Sequence, residues 1–141
     1  MAKLKGGESD TIETLTYWTE ALLDSNAVNK ASIQVENISG PILLFSGLDD
    51  EVWPSAMMSD MIENRIKNSH FNFEVENIKY ENAGHLISGN PNNPSSIRNG
   101  KMMIDGNSYN FDFGGTEDGD MAAQKDTSMR VFRFLSRLKN E

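Results

Sequence analysis

The run "GPILLFSGLDDEVWPS", Gly40 to Ser55, constrains the chain more than any other stretch. "PILLFSG" is a continuous apolar run between Gly40-Pro41 and Gly47, without the alternation of a half-wet strand. That is the pattern of a strand covered on both faces, and it favours parallel pairing. The strand runs into an acidic turn and then into Pro54, which suits the first turn of a helix because its missing N–H costs nothing there. In α/β enzymes the crevice past the carboxyl ends of the strands is where ligands and the groups that act on them sit. Asp49 and Asp50 stand at that position.

The flanking patterns complete a βαβ unit over residues 33–85. Met58, Met61, Ile62 and Ile66 form one stripe at helical spacing, and the methionines read as core filling rather than as a binding groove. "FNFEVENIKYENAGH" then predicts a second strand, with Phe71, Phe73 and Val75 alternating and Ile78 and Tyr80 following after a change of phase. It ends in a Gly-containing turn at His85. Upstream, residues 1–32 read as a helical segment. Its helix starts near Asp10 with Glu13 as in a capping box, carries Ile12, Leu15, Trp18 and Leu22 on one face, and stops before "DSNAVNK". Residues 86–114 read as an insertion rich in Asn, Pro, Ser and Gly, with Asp105-Gly106 marking a hairpin. After "GGTEDGD" a last helix within 115–141 places Val131, Phe134, Leu135 and Leu138 on one face, with Lys and Arg near its negative end. The whole is expected to be one α/β domain.

Charge and composition remove several function classes. Thirteen basic against twenty-one acidic residues give a net charge of −8, so phosphate backbones and anionic membrane surfaces are repelled, and neither nucleic acid nor membrane is expected as a partner. The absence of cysteine excludes disulfides, thiolate metal sites and a Cys nucleophile from these 141 residues. No run approaches the roughly 20 apolar residues of a membrane span, and "MAKLKGGESD" lacks a signal-peptide core. The chain reads as cytoplasmic. No cofactor is expected.

Two chemical groups stand out. Asp50 lies three residues after the glycine that ends one strand, and His85 lies just past the end of the next. Adjacent parallel strands open on the same edge, so the carboxylate and the imidazole can meet by hydrogen bond. In a triad the carboxylate holds the imidazole tautomer while the imidazole takes a proton from the nucleophile. The same residues also suit duller roles, because Asp caps turns and a lone His is commonly a surface residue. Asp49 is an alternative acid. Asp112, Glu117, Asp118 and Asp120 read as a solvated acidic loop or helix cap rather than a cation site, since their spacing is not that of a calcium loop. Asp112-Phe113-Gly114 imitates a kinase triplet without the motifs that accompany it, and is read as chance.

"IQVENISGPILLFSGLDDEVWPSAMM", "YENAGHLI" and "FGGTEDGDMAAQKDTSMRVFRFL" together resemble, in order, the C-terminal part of the acyl-CoA thioesterase and bile acid-CoA:amino acid N-acyltransferase family, a branch of the α/β hydrolases related to dienelactone hydrolase. The resemblance covers roughly residues 33–138. It implies that Asp50 is the catalytic acid and His85 the general base, with Trp53 and Pro54 at a structural corner. The family's Cys or Ser nucleophile sits on an upstream elbow, and nothing here carries it over. The elbow G-x-S-x-G needs small residues two before and two after the nucleophile. Ser46 has Leu44 and Leu48 there, and Ser88 has Leu86 and Asn90. The resemblance thus implies the closing portion of an α/β hydrolase acting on acyl thioesters, with acid and base but no nucleophile. A second reading is a non-catalytic domain that self-associates or binds a separate hydrolase half. A third is an unrelated small βαβ domain. A bare edge on the "PILLFSG" strand would recruit a second copy, so a homodimer is expected.

Overall fold

The computed structural model describes residues 11, 12, 14–89 and 98–139. Strand β2 (Ile42–Gly47) and strand β3 (Val75–Tyr80) pair in parallel, from Ile42 opposite Val75 to Gly47 opposite Tyr80. Helix α3 (Ser55–Lys67) makes the crossover between them and packs on both. This is the expected βαβ unit, and its register brings the ends of the two strands level. A 3-10 turn at Val35–Asn37 tucks Val35 against this layer and is tied to α3 by Arg65, whose guanidinium donates to both carboxylate oxygens of Glu36 at 2.5 and 2.6 Å.

A second, three-stranded sheet has the order β1 (Thr11–Ile12), β5 (Asn107–Asp112), β4 (Asn99–Ile104). Strands β4 and β5 are the expected hairpin. Asp105 and Gly106 take φ values of 50° and 82°, the paired left-handed conformation that a two-residue hairpin turn needs to match strand twist. Helix α4 (Glu117–Leu138) follows, with Thr116 as N-cap accepting the Gly119 amide at 3.0 Å.

Several expectations fail for identifiable reasons. Ile12 lies in a strand, not in the first helix, because it finds a tertiary partner: Thr11 and Ile12 pair in parallel with Asn110 and Phe111. Helix α1 is therefore shorter, Thr14–Ala21, and the expected capping box at Asp10 and Glu13 lies outside the described residues. Helix α1 does stop before "DSNAVNK", as expected, but that stretch forms a second helix of its own. The Asp24 side chain accepts the amides of Asn26 and Ala27, each at 3.0 Å, and starts helix α2 (Ser25–Ala31). Phe71 and Phe73 precede β3 and pack edge to face on each other at 5.5 Å; the partner strand begins only at Ile42, after Pro41, which has no N–H to extend the ladder. Pro54 is the residue before α3 rather than inside its first turn.

The last helix is held by its first half. Asp120, Ala123, Gln124 and Thr127 are its buried residues, while Val131, Leu135 and Leu138 of the expected apolar face are 40 % exposed or more. Gln124 donates its amide to the Leu86 carbonyl at 2.7 Å and Thr127 its hydroxyl to that of Ile87 at 3.0 Å. Toward the sheet, the Tyr80 phenol donates to Asp126 at 2.9 Å, and Arg130 Nε donates to the same oxygen at 2.5 Å. Burial first, then this carboxylate, push the phenol well above its usual pKa, while Arg130 holds Asp126 below the ordinary carboxylate range.

Candidate active site

The level ends of β2 and β3 launch two turns side by side. Leu48 donates its amide to the Tyr80 carbonyl at 3.0 Å and Asp49 donates to that of Ala83 at 3.0 Å, so the acidic turn is laced to the turn that carries the histidine. The β5–α4 junction closes the third side. His85 donates its amide to the Phe113 carbonyl at 2.7 Å, and Asp50 forms an isolated antiparallel bridge with Gly114. Three segments far apart in sequence meet here backbone to backbone. Such an approach leaves no room for side chains. A Cβ on Gly84 would stand 2.5 Å from the carbonyl carbon of Gly114 and closer still to the Phe113 carbonyl oxygen, and Gly114 itself holds φ 71°.

Asp50 is 4 % exposed in its side chain and divides its two oxygens between two tasks. Oδ1 accepts the amides of Val52 at 2.9 Å and Trp53 at 3.2 Å, which fixes the carboxylate plane. Oδ2 faces Nδ1 of His85 at 3.2 Å. The imidazole, with 23 % of its side chain exposed, lies between two aromatic rings. Phe113 stacks on it at 6.1 Å and 15°, and Trp53 meets it edge-on at 5.1 Å. A buried acid orienting an accessible imidazole is the arrangement a carboxylate–histidine pair requires for proton transfer at the outer nitrogen.

The structure brings Asp50 and His85 together and leaves Asp49 exposed, with the imidazole addressing Asp50. Ser46 is fully buried, 3.3 Å from the Ser59 hydroxyl, and Ser88 is exposed. Of the late acidic residues, Asp112 accepts the Gly114 amide at 2.8 Å and Asp120 accepts that of Gly84 at 2.7 Å, while Glu117 and Asp118 are exposed in the first turn of α4. Among the described residues no group of three or more His, Asp or Glu side chains is arranged to hold a metal ion.

Two residues of the site escaped the sequence reading. Trp53 is more than a corner, since its ring abuts the imidazole. Asp120 is 1 % exposed and anchors the residue preceding His85. A signal existed for the second: positions 120, 123, 124 and 127 share one helical face, but that face is small and polar, so a hydropathy pattern passes over it. Phe113 and Gly114 also do specific work in a triplet that reads as chance.

The family model described as "BAAT / Acyl-CoA thioester hydrolase C terminal" matches residues 2–140, a wider span than the 33–138 of the motif resemblance. No curated protein matches the chain. Among the described residues no helix is long and apolar enough to cross a membrane.

Proposed function

The chain belongs to the BAAT / acyl-CoA thioester hydrolase C-terminal family, and from that premise we propose that it supplies the acid and base of an acyl-thioester-cleaving active site through Asp50 and His85. The observation that supports this reading most directly is the 3.2 Å contact between Asp50 Oδ2 and His85 Nδ1, with Oδ1 of the same carboxylate held by two backbone amides. In this reading Asp50 keeps the proton on Nδ1 and leaves Nε2 to act as base. A Ser or Cys contributed from outside these residues passes its proton to Nε2 as it attacks the thioester carbonyl carbon. The C–S bond breaks, Nε2 returns the proton to the departing thiolate, and the acyl group is held as an ester or thioester on the nucleophile. Water or an amine then attacks the acyl carbon, losing a proton to Nε2; the bond to the Ser or Cys breaks, and Nε2 returns the proton to that nucleophile.

The test combines the chain with a segment bearing a G-x-[CS]-x-G elbow and follows thiol release from an acyl-CoA. His85→Ala and Asp50→Ala are expected to reduce kcat by about 10³-fold or more, by analogy with triads generally. The chain alone is expected to show no turnover above background. Turnover by the chain alone, abolished by His85→Ala, would overturn the assignment of the nucleophile to another segment.

A second reading is favoured by one observation. Among the described residues β2 pairs only with β3, and Met129, Phe132 and Leu135 on α4 are 45–74 % exposed. An open parallel edge beside an apolar helix face invites another polypeptide, either a second copy or a separate hydrolase half. Sedimentation across a tenfold dilution should give about twice 15.7 kDa for the homodimer. A monomer at micromolar concentration would exclude that occupant.

A further inference from the structure

An aromatic ledge leads from helix α1 to the imidazole. The rings of Tyr17 and Trp18 meet at 5.4 Å, Trp18 and Trp53 at 6.3 Å, and Trp53 and His85 at 5.1 Å, all near-perpendicular. These three aromatic residues are 54, 38 and 41 % exposed, which is unusual for large apolar groups in continuous contact. We propose that this ledge is the binding surface for the acyl chain of the thioester, with the carbonyl at His85 and the chain lying over Trp53 and then Trp18. The proposal rests on the catalytic reading of His85 given above and adds the route by which the acyl group leaves the reacting carbon.

Three observations select that occupant. A substituent on a carbon within reach of the imidazole can find an apolar surface on either of the two rings that flank it. On the Phe113 side the hairpin packs against the ring, where a Cβ on Gly100 would stand 2.8 Å from it, and Phe113 is less exposed than Trp53. The Trp53 side runs outward along exposed rings. The charged residues on the two segments that carry the ledge, Glu20 on α1 and Asp49, Asp50 and Glu51 in the acidic turn, are all carboxylates. The phosphates of a coenzyme A arm are repelled from such a surface, whereas an uncharged hydrocarbon chain is not. Rigid aromatic rings also bury apolar area at low entropic cost, which suits a flexible chain that must be ordered on binding.

The chain has two tryptophans, and both are in the ledge, so its tryptophan emission reports on this surface alone. The full chain is titrated with S-alkyl-coenzyme A thioethers of six to twelve carbons, kept below micellar concentrations, and with free coenzyme A and choline as controls. Binding that changes the emission and tightens by about twofold per methylene, half the gain of a fully buried methylene, is the expected result. Calorimetry on Trp18→Ser should then show at least a fivefold loss for the twelve-carbon ligand and little change for the six-carbon one. Tyr17→Ser, at the most exposed ring, gives a second reading should Trp18→Ser fail to fold. Trp53→Phe should retain most of the affinity.

Affinity independent of alkyl length, or equal to that of free coenzyme A, would overturn the proposal, as would a response to choline but not to the thioethers. The chain-length trend should survive in Lys67→Ala, whose side chain pairs with Glu63 on α3 and belongs neither to the ledge nor to the acid–base pair. Loss of turnover in the reconstituted Asp50 and His85 variants without any chain-length trend in binding would leave the catalytic reading standing and remove the ledge. The converse result would do the opposite.

Discussion

Adding one carbon atom at Gly84 should uncouple the histidine from its acid. The Gly84→Ala methyl would stand 2.5 Å from both the carbonyl carbon and oxygen of Gly114, and these are backbone atoms that cannot swing aside. Reaching van der Waals separation requires the histidine turn to withdraw by about 1 Å. A shift of that size takes the Nδ1 to Oδ2 distance from 3.2 Å to about 4 Å, beyond hydrogen-bond range. It also strains the bond from the Gly84 amide to Asp120. Overpacking costs about 1–3 kcal/mol and a lost hydrogen bond about 1 kcal/mol more, so a destabilisation of about 2–4 kcal/mol is expected. For a chain of this length that lowers Tm by about 6–16 °C. Far-UV circular dichroism measures the first effect, and ¹⁵N shifts of the imidazole nitrogens measure the second, since without Asp50 the Nδ1–H tautomer is no longer held. A Gly84→Ala chain with Tm within about 2 °C of the parent and unchanged imidazole shifts would refute the close-approach argument.

Other perturbations separate the parts of the molecule. In Asp50→Ala the acidic turn loses its acceptor for the Val52 and Trp53 amides as well as the imidazole partner, so Trp53 emission should shift along with the ¹⁵N shifts of His85. Gly106→Val, which puts a β-branched residue at φ 82°, should cost about 1–2 kcal/mol, seen as faster hydrogen exchange of the β4–β5 amides with the His85 tautomer unchanged. Because Asp126 titrates below its ordinary range in the fold, its contribution to stability is present above the unfolded carboxylate pKa and is lost as pH falls through the folded one. The urea midpoint of the parent should therefore exceed that of Asp126→Asn at pH 7, and the gap should close on acidification toward pH 3; a gap that widens would invert the assignment.

What the sequence made legible was whatever local pattern and tertiary environment agree on. The apolar run of β2 and the Asp105-Gly106 turn each carry their own physical reason, and each is found where that reason puts it, whereas α4 starts at Glu117, inside "GGTEDGD" rather than after it. Strand β1 carries none. Two residues become a strand only because Asn110 and Phe111 lie alongside, and a helical spacing from Ile12 to Leu22 cannot reveal that. The alternation at Phe71 and Phe73 misleads for the complementary reason, that the partner strand begins only at Ile42, opposite Val75, and Pro41 before it cannot donate to extend the ladder. At the site, strand topology alone was enough to bring Asp50 and His85 to one edge. Trp53 and Asp120 were opaque because their roles depend on which way a turn and a helix face point, a property of packing rather than of composition.

The hairpin meets the histidine turn and the acidic turn through main-chain bonds. Arg98 accepts the Phe113 amide at 2.8 Å, which closes residues 99–112 at their base, and it is Phe113 that accepts from His85. A loop closed at its own neck is a replaceable cassette. Doubling its length adds only about 0.6 kcal/mol of closure entropy, and its tip can be rewritten without moving the acid or the base, provided Asn110 and Phe111 still pair with β1. Diversification in such a lineage is therefore expected to concentrate in length and composition between Lys101 and Tyr109, leaving Gly100 to make room for the Phe113 ring, beside a pair whose geometry the backbone protects from the change.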